Sequence, residues 1–281
     1  RAPPGAALDS NLDECASDMV NDQAVEIERM NALLIGLSND PRAGLAAGLY
    51  DAEEAILHLQ LVESQRKPQG FFDPENPAGR GAEKQEDDKE KALKESKTIE
   101  EQAENKRYPM LSFANTDMAF RDDILVTGSY HGFNIYRINN EGLPRLLSSV
   151  VCPGGQGDVS VVGDLLLYSV EQSRSRIDCG LEGVNSDASP DRFQGIRIFD
   201  ISDLSLPKQV GAVQTCRGSH THSVVSHPSS KDKILVYNSG IRDVREEKEL
   251  AGCIDDVPGD QRTALFRIDV IEMPLDDPAK S

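Results

Sequence analysis

From Tyr108 onward, short runs alternate apolar and polar positions and are separated by turn residues. Gly132-Phe-Asn-Ile-Tyr-Arg-Ile138, Gly195-Ile-Arg-Ile-Phe-Asp-Ile201 and Leu265-Phe-Arg-Ile-Asp-Val-Ile271 share one pattern. Side chains on a strand point to opposite faces in turn, so this period describes half-buried strands. A second echo precedes each run: Asp123-Ile-Leu-Val-Thr-Gly128, Asp164-Leu-Leu-Leu-Tyr-Ser169 and Lys233-Ile-Leu-Val-Tyr-Asn238. A third follows the first two, ending in Cys152 and Cys216. A fourth opens the next unit, where Asp158-Val-Ser-Val-Val162 aligns with His222-Ser-Val-Val225. Four strands per unit in tandem predict β-propeller blades. The units run over 113–152, 157–216 and from 221 onward, with the third unfinished.

Upstream the period changes. Val25, Ile27, Met30, Leu33, Leu34 and Leu37 fall near helical spacing, and Gly36 and Pro41 punctuate the end. Leu45 to Val62 gives a second candidate helix through Leu49, Ala52, Ile56, Leu59 and Leu61. Residues 66–81 are rich in proline and glycine, with Phe71 and Phe72 placed to dock on a neighbouring surface. Residues 83–107 mix charges of both signs and read as a solvated helix or linker. The expected organisation is therefore a helical N-terminal segment over 1–65, a linker over 66–107, and β-propeller blades over 108–281. The expected fold class is mainly β, a partial propeller of four-stranded antiparallel blades.

Gly195-Ile-Arg-Ile-Phe-Asp-Ile-Ser-Asp-Leu-Ser-Leu-Pro-Lys-Gln-Val210 resembles an LVIVD repeat. That unit is an apolar strand, then Asp-Ile-Ser-Asp-Pro, a polar spacer, and a proline before the outer strand. Leu204 stands where the proline is usual. Ile138-Asn-Asn-Glu-Gly-Leu-Pro144 and Val270-Ile-Glu-Met-Pro-Leu-Asp-Asp-Pro278 match more weakly. The resemblance covers 113–281 and implies an exported bacterial β-propeller. It brings no catalytic motif.

Charge removes some partners. The net charge is −18, from 48 acidic and 30 basic residues. Such a field repels a phosphate backbone, which excludes a general nucleic-acid binder. No run of 18 apolar residues is present, so no transmembrane helix is predicted. The chain opens at Arg1 and closes on Asp-Asp-Pro-Ala-Lys-Ser, and both ends read as cut.

Two long insertions, 172–194 and 240–263, follow the second strand of their units. The connectors Pro153–Asp158 and Arg217–His222 belong to the same end of a four-stranded blade, so the unusual residues converge on one face. His220-Thr-His222 is the sharpest signal there, since i and i+2 side chains of an extended segment point the same way. Two imidazoles can begin a site for a divalent metal, or can simply bond the connector and pack between blades. Gly154-Gly-Gln-Gly157 lacks the lysine and strand-to-helix setting of a phosphate loop and reads as a tight turn. Asp255, Asp256 and Asp260 have no EF-hand spacing and read as solvated loop rather than a calcium site.

Five cysteines are present. Cys152 and Cys216 occupy matching blade ends, and Cys179 and Cys253 occupy matching insertions. Four cysteines allow three connectivities, and only Cys152–Cys179 with Cys216–Cys253 respects the repeat. Cys15 is left over. Two disulfides place the protein in an oxidising setting: secreted, periplasmic or at the cell surface. The expected function is a non-enzymatic binding or scaffolding module with a protein or surface partner, and no catalytic residue is assigned. A metal-dependent hydrolase or oxidoreductase around His220 and His222 is the alternative. A structural component of a cell-surface assembly is a third reading.

Overall fold

The structure is a computed structural model that describes residues 25–33, 36, 40–48, 51–68, 71, 115–181, 183–184, 188–255, 257–265 and 267–281. Its backbone divides into two compact units, Arg1–Val62 and Glu63–Ser281. In the first unit a helix spans 25–33. The second expected helix does not form, because 45–48 and 51–62 carry no helical turn. Leu57, Leu59 and Val62 remain exposed there. A short amphipathic helix gains most of its stability from packing its apolar face, and none of these residues is packed. Cys15, Phe72 and nearly all of the 66–107 linker lie outside the described residues.

Among the described residues, the second unit contains three antiparallel sheets in chain order. The first contains β1 (Asn115–Arg121), β2 (Ile124–Ser129), β3 (Gly132–Ile138) and β4 (Pro144–Val151). The second contains β5 (Val159–Val162), β6 (Leu165–Val170), β7 (Gly195–Asp200) and β8 (Lys208–Gln214). The third contains β9 (Thr221–Ser226), β10 (Lys233–Ser239) and β11 (Asp269–Pro274). Every strand pairs with its sequence neighbour, so each sheet is a meander. Tight turns set the register: Arg121 pairs with Ile124 across Asp122-Asp123, and Val162 pairs with Leu165 across Gly163-Asp164.

Alternation sorts the apolar side chains between two cores. Ile124, Val126, Phe133 and Ile135 of the first sheet meet Val159, Leu166, Tyr168 and Phe199 of the second. Phe133 packs edge-on against Phe199 with ring centroids 4.9 Å apart. From the other face of the second sheet, Leu167, Ile196 and Ile198 meet Ile234, Val236 and Met273 of the third. The first strands of the three sheets, β1, β5 and β9, are neighbours in that order.

The third sheet departs from the expected alignment by one residue. Leu166 and Tyr168 face back toward the first sheet, and Ile234 and Val236 face back toward the second. Ile234 thus plays the part of Leu166 or its even-numbered neighbours, not that of Leu165. The third strand also starts later than its sequence echo, at Asp269 rather than Leu265.

Segment 63–71 lies against the first sheet. Glu63 pairs with Arg145 at 3.2 Å, and Gln65 donates to the Pro144 carbonyl at 2.7 Å. Phe71 is fully buried, with its ring centroid 6.5 Å from that of His131. Phe71 therefore docks as its sequence setting predicts. Burial lowers Lys67 to a pKa of about 8, and burial together with the Lys67 charge lowers His131.

Candidate functional site: a histidine cluster at the connector end

The connectors and the starts of both insertions meet at one end of the sheets. β6 ends at Val170, and Glu171 stands between it and the 172–194 insertion. Its backbone N–H donates to the Gly154 carbonyl of the first connector, while Ser219 of the second connector donates to the Val170 carbonyl. β10 ends at Ser239, and Arg242 then donates its N–H to the Arg217 carbonyl. Glycines make this approach possible. A Cβ on Gly155, whose φ is +107°, would stand 2.3 Å from Glu171 Cγ. On Gly218 it would meet the Glu171 Cα at 2.9 Å.

The Glu171 side chain is 4% exposed, and one carboxylate oxygen lies 2.7 Å from His220 Nδ1. The other accepts the Gln156 N–H at 3.3 Å, and a terminal nitrogen of Arg242 stands 3.6 Å from it. A carboxylate only accepts, so it fixes the proton on His220 Nδ1 and leaves Nε2 as the free nitrogen. The His220 side chain is about a third exposed, so this cluster opens to solvent.

His222 sits deeper. Its side chain is fully buried, with Nδ1 2.8 Å from Ser169 Oγ and 3.0 Å from Asp158 Oδ2. The Ser169 and Ser219 hydroxyls are 2.6 Å apart. His222 Nε2 and Asn238 Oδ1, on directly paired residues, are buried without hydrogen-bond partners. Burial pushes Asp158 up, but hydrogen bonds from the His222 side chain and backbone outweigh it and hold the carboxyl below the usual range. Burial and the nearby Asp158 charge raise Asp117 despite the backbone N–H groups donated to it.

Ser169, His222 and Asp158 do not form a nucleophilic relay. Such a relay puts the hydroxyl and the carboxylate on opposite ring nitrogens. Here both contact Nδ1, and Ser169 is fully buried.

The two histidines singled out by sequence are thus held by different carboxylates, His220 by Glu171 and His222 by Asp158. Among the described residues, no group of three or more His, Cys, Asp or Glu side chains is arranged to hold a metal ion. Asp260 is engaged by Arg262 at 2.6 Å, whose hydrogen bonds lower it to a pKa of about 2. Asp256 lies outside the described residues. His227 bonds Glu272 at 2.9 Å, away from the connectors.

Both expected disulfides are present. Cys152–Cys179 has a Cα separation of 4.6 Å and Cys216–Cys253 one of 5.2 Å. Each ties the end of one sheet to the insertion of the next.

Sequence reasoning passed over the residues that floor the insertions. Glu249, 2% exposed, receives Arg192 from one insertion boundary and Arg245 at 2.5 Å within the other, and accepts the Ser189 N–H at 2.9 Å. Arg197 on β7 is fully buried. Its guanidinium lies 4.2 Å from the Phe193 ring centroid and donates to the carbonyls of Arg176 and Ile177 and to Gln209. Burial lowers it to a pKa of about 10. At the far end of the sheets, a cleft of about 590 Å³ is lined by Asp164, Asp200, Asp276 and Asp277, with Arg121 bound to Asp164 at 2.7 Å.

No protein-family profile matches the chain, and no curated protein matches it. A solved structure described as the computationally designed Ika4 protein is 14% identical, covering 58% of this chain and 87% of its own, with a TM-score of 0.25. That likeness carries no argument. Among the described residues, no helix is long and apolar enough to cross a membrane.

Proposed function

We propose that this protein is an exported, non-enzymatic binding or scaffolding module built as a partial β-propeller of LVIVD-type blades. The observation that carries this reading is the pair of disulfides. They pin both long insertions beside the connectors, turning loops into a rigid face with the Glu171–His220–Arg242 cluster inside it. Binding residues collect on loops held by a rigid scaffold. The bonds also suit an oxidising compartment, which supports export. Three sequential meander sheets stacked through alternating faces support the propeller reading.

The test is a peptide and glycan array probed with the intact protein and with an R242A/H220N double variant. A retained ligand whose signal falls at least tenfold in the variant supports the binding role. Equal signals from both proteins move the binding surface elsewhere.

One observation favours a metal-dependent hydrolase or oxidoreductase as the second reading. Metal-ligating histidines characteristically give their other ring nitrogen to a carboxylate, as both His220 and His222 do. Elemental analysis of the intact protein separates the readings: a stoichiometric transition metal, lost on replacing His220 and His222, favours the enzyme.

A further inference from the structure

Segment 63–71 is a strap attached at both ends of the first sheet. At one end Glu63 pairs with Arg145 at 3.2 Å, and Gln65 donates to the Pro144 carbonyl at 2.7 Å. At the other, Phe71 is fully buried beside His131, in the turn between β2 and β3. The register sets these attachments apart, since Pro144 pairs with Ile138 and Gly132 with Val151. They also differ in strength. The Glu63 and Arg145 side chains are 27% and 55% exposed, and a solvated ion pair contributes little. Phe71 is a whole aromatic side chain removed from water, so docking rests on that end. The turn it covers belongs to the connector end. The His131 carbonyl accepts the Cys152 N–H at 2.8 Å, and the Tyr130 carbonyl accepts the Gly154 N–H at 3.4 Å.

The Phe71 end is built on two basic groups without a counter-charge. Lys67 Nζ is buried and has no hydrogen-bond partner. Burial and the Lys67 charge both disfavour the protonated form of His131. Glu63 of the strap is engaged by Arg145, and Asp123 of the first sheet by Arg137, so neither balances this pair. Arg66 adds a further positive charge to the strap. We propose that the strap is released by acid, its Phe71 end leaving the β2–β3 turn when His131 takes up a proton beside Lys67. This goes beyond the binding reading and does not depend on it. Free of the strap, His131 titrates near the ordinary value of about 6.5. Docked, it is lowered, so the neutral ring favours docking. That contribution is complete above about pH 6.5 and weakens as pH falls toward the docked value, by about tenfold per unit. Lys67 acts in the same sense at higher pH. Its docked value is about 8 against the usual 10.5, so its protonation weakens docking between those values and no further below them. Release below neutrality therefore comes from His131, with Lys67 already charged, and it uncovers the turn that holds the first connector.

The test is hydrogen exchange on the full chain from about pH 8 to about pH 5, corrected for the intrinsic rate at each pH, with His131→Gln and Lys67→Met as variants. The Phe71 amide, which donates to the Pro68 carbonyl at 3.1 Å, reports the docked end. In the wild type its protection is expected to fall below about pH 6.5, by up to about tenfold per unit, while β2 and β3 keep theirs. His131→Gln is expected to abolish that fall. Lys67→Met is expected to shrink it, because the charge that holds His131 down is gone. Protection of Phe71 that does not change with pH overturns the proposal. So does a loss that β2 and β3 share, since that is unfolding of the sheet, and so does an undiminished fall in His131→Gln. If His131→Gln leaves the strap undocked at every pH, Lys67→Met decides: a fall as large as in the wild type overturns the proposal, and a smaller one upholds it.

Discussion

The Asp158 carboxylate holds His222 twice, accepting its backbone N–H at 2.7 Å and standing 3.0 Å from its Nδ1. The second sheet thereby fixes the first residues of the third. Because Asp158 is lowered in the folded protein, its ionised form favours folding. That contribution is complete above the ordinary aspartate pKa, about 3.9, and is lost as pH falls through the lower folded value. Asp158→Asn is expected to cost about 1.5–3 kcal/mol at neutral pH, the range for hydrogen bonds to a charged group. The deficit should shrink below about pH 4. Urea midpoints of variant and wild type across pH check this, and a pH-independent deficit contradicts it.

Asp117 is raised, so the sign reverses. Its protonated form favours folding, and that contribution fades as pH rises through the folded value. Asp117→Asn keeps an acceptor for the Val159 N–H and removes a charge beside Asp158. Its expected effect at neutral pH is stabilisation or no change, read from the same denaturation series. A clear loss of stability there refutes the assignment.

Glu171 is the other carboxylate to test. Glu171→Leu leaves His220 Nδ1 and the Gln156 N–H without their acceptor, and a lost buried acceptor costs about 1–3 kcal/mol. Glu171→Gln retains one acceptor oxygen and is expected to cost less. Thermal melts rank the two; the reverse order would show that the carboxylate does not organise the connectors.

Loss of Cys152–Cys179 or Cys216–Cys253 by paired serine substitution is expected to cost about 3.5 kcal/mol each in the chain-entropy account. The closed loops span 27 and 37 residues, so the second bond should contribute slightly more. Denaturation of the two double variants measures both values. A loss well below 1 kcal/mol would mean that the insertions are held by other contacts, Glu249 first among them.

Arg197→Ala is expected to destabilise by about 3 kcal/mol, combining an emptied core site with orphaned carbonyls at Arg176 and Ile177. Exchange protection should fall in 172–194 before it falls in β7. Uniform loss across the second sheet would contradict an anchoring role for this side chain.

The sheets were legible because alternation and repetition act together. Where a one-face core exists, a polar residue at the wrong parity is penalised, so the pattern survives in the residues. That is why the first two meanders follow the echoes. The third defeated alignment by likeness. Lys233-Ile-Leu-Val-Tyr-Asn238 aligns with Asp164-Leu-Leu-Leu-Tyr-Ser169 without a gap and brings the two tyrosines together, yet Tyr168 is fully buried and Tyr237 is 40% exposed. A slip of one residue exchanges the faces, and no composition signal marks it when both parities carry apolar residues. The cysteine pairing was readable because only one connectivity respects the repeat. Arg197 and Glu249 were not, since a charged residue in an alternating strand or loop reads as solvent-facing, and its burial depends on partners brought in from an insertion. Leu45–Val62 misled in the opposite way: its spacing suits a helix, but spacing supplies no surface to pack against.

The arrangement of the two disulfides bears on how the chain matures. Cys152–Cys179 closes before Cys216 is reached, and Cys216–Cys253 closes within the segment that follows. The two loops neither nest nor interleave. Under the export proposed above, a chain threaded into an oxidising compartment from its N-terminal side presents these four cysteines in the order in which they pair. Each bond can then be sealed between consecutive arrivals, with no exchange between the two pairs.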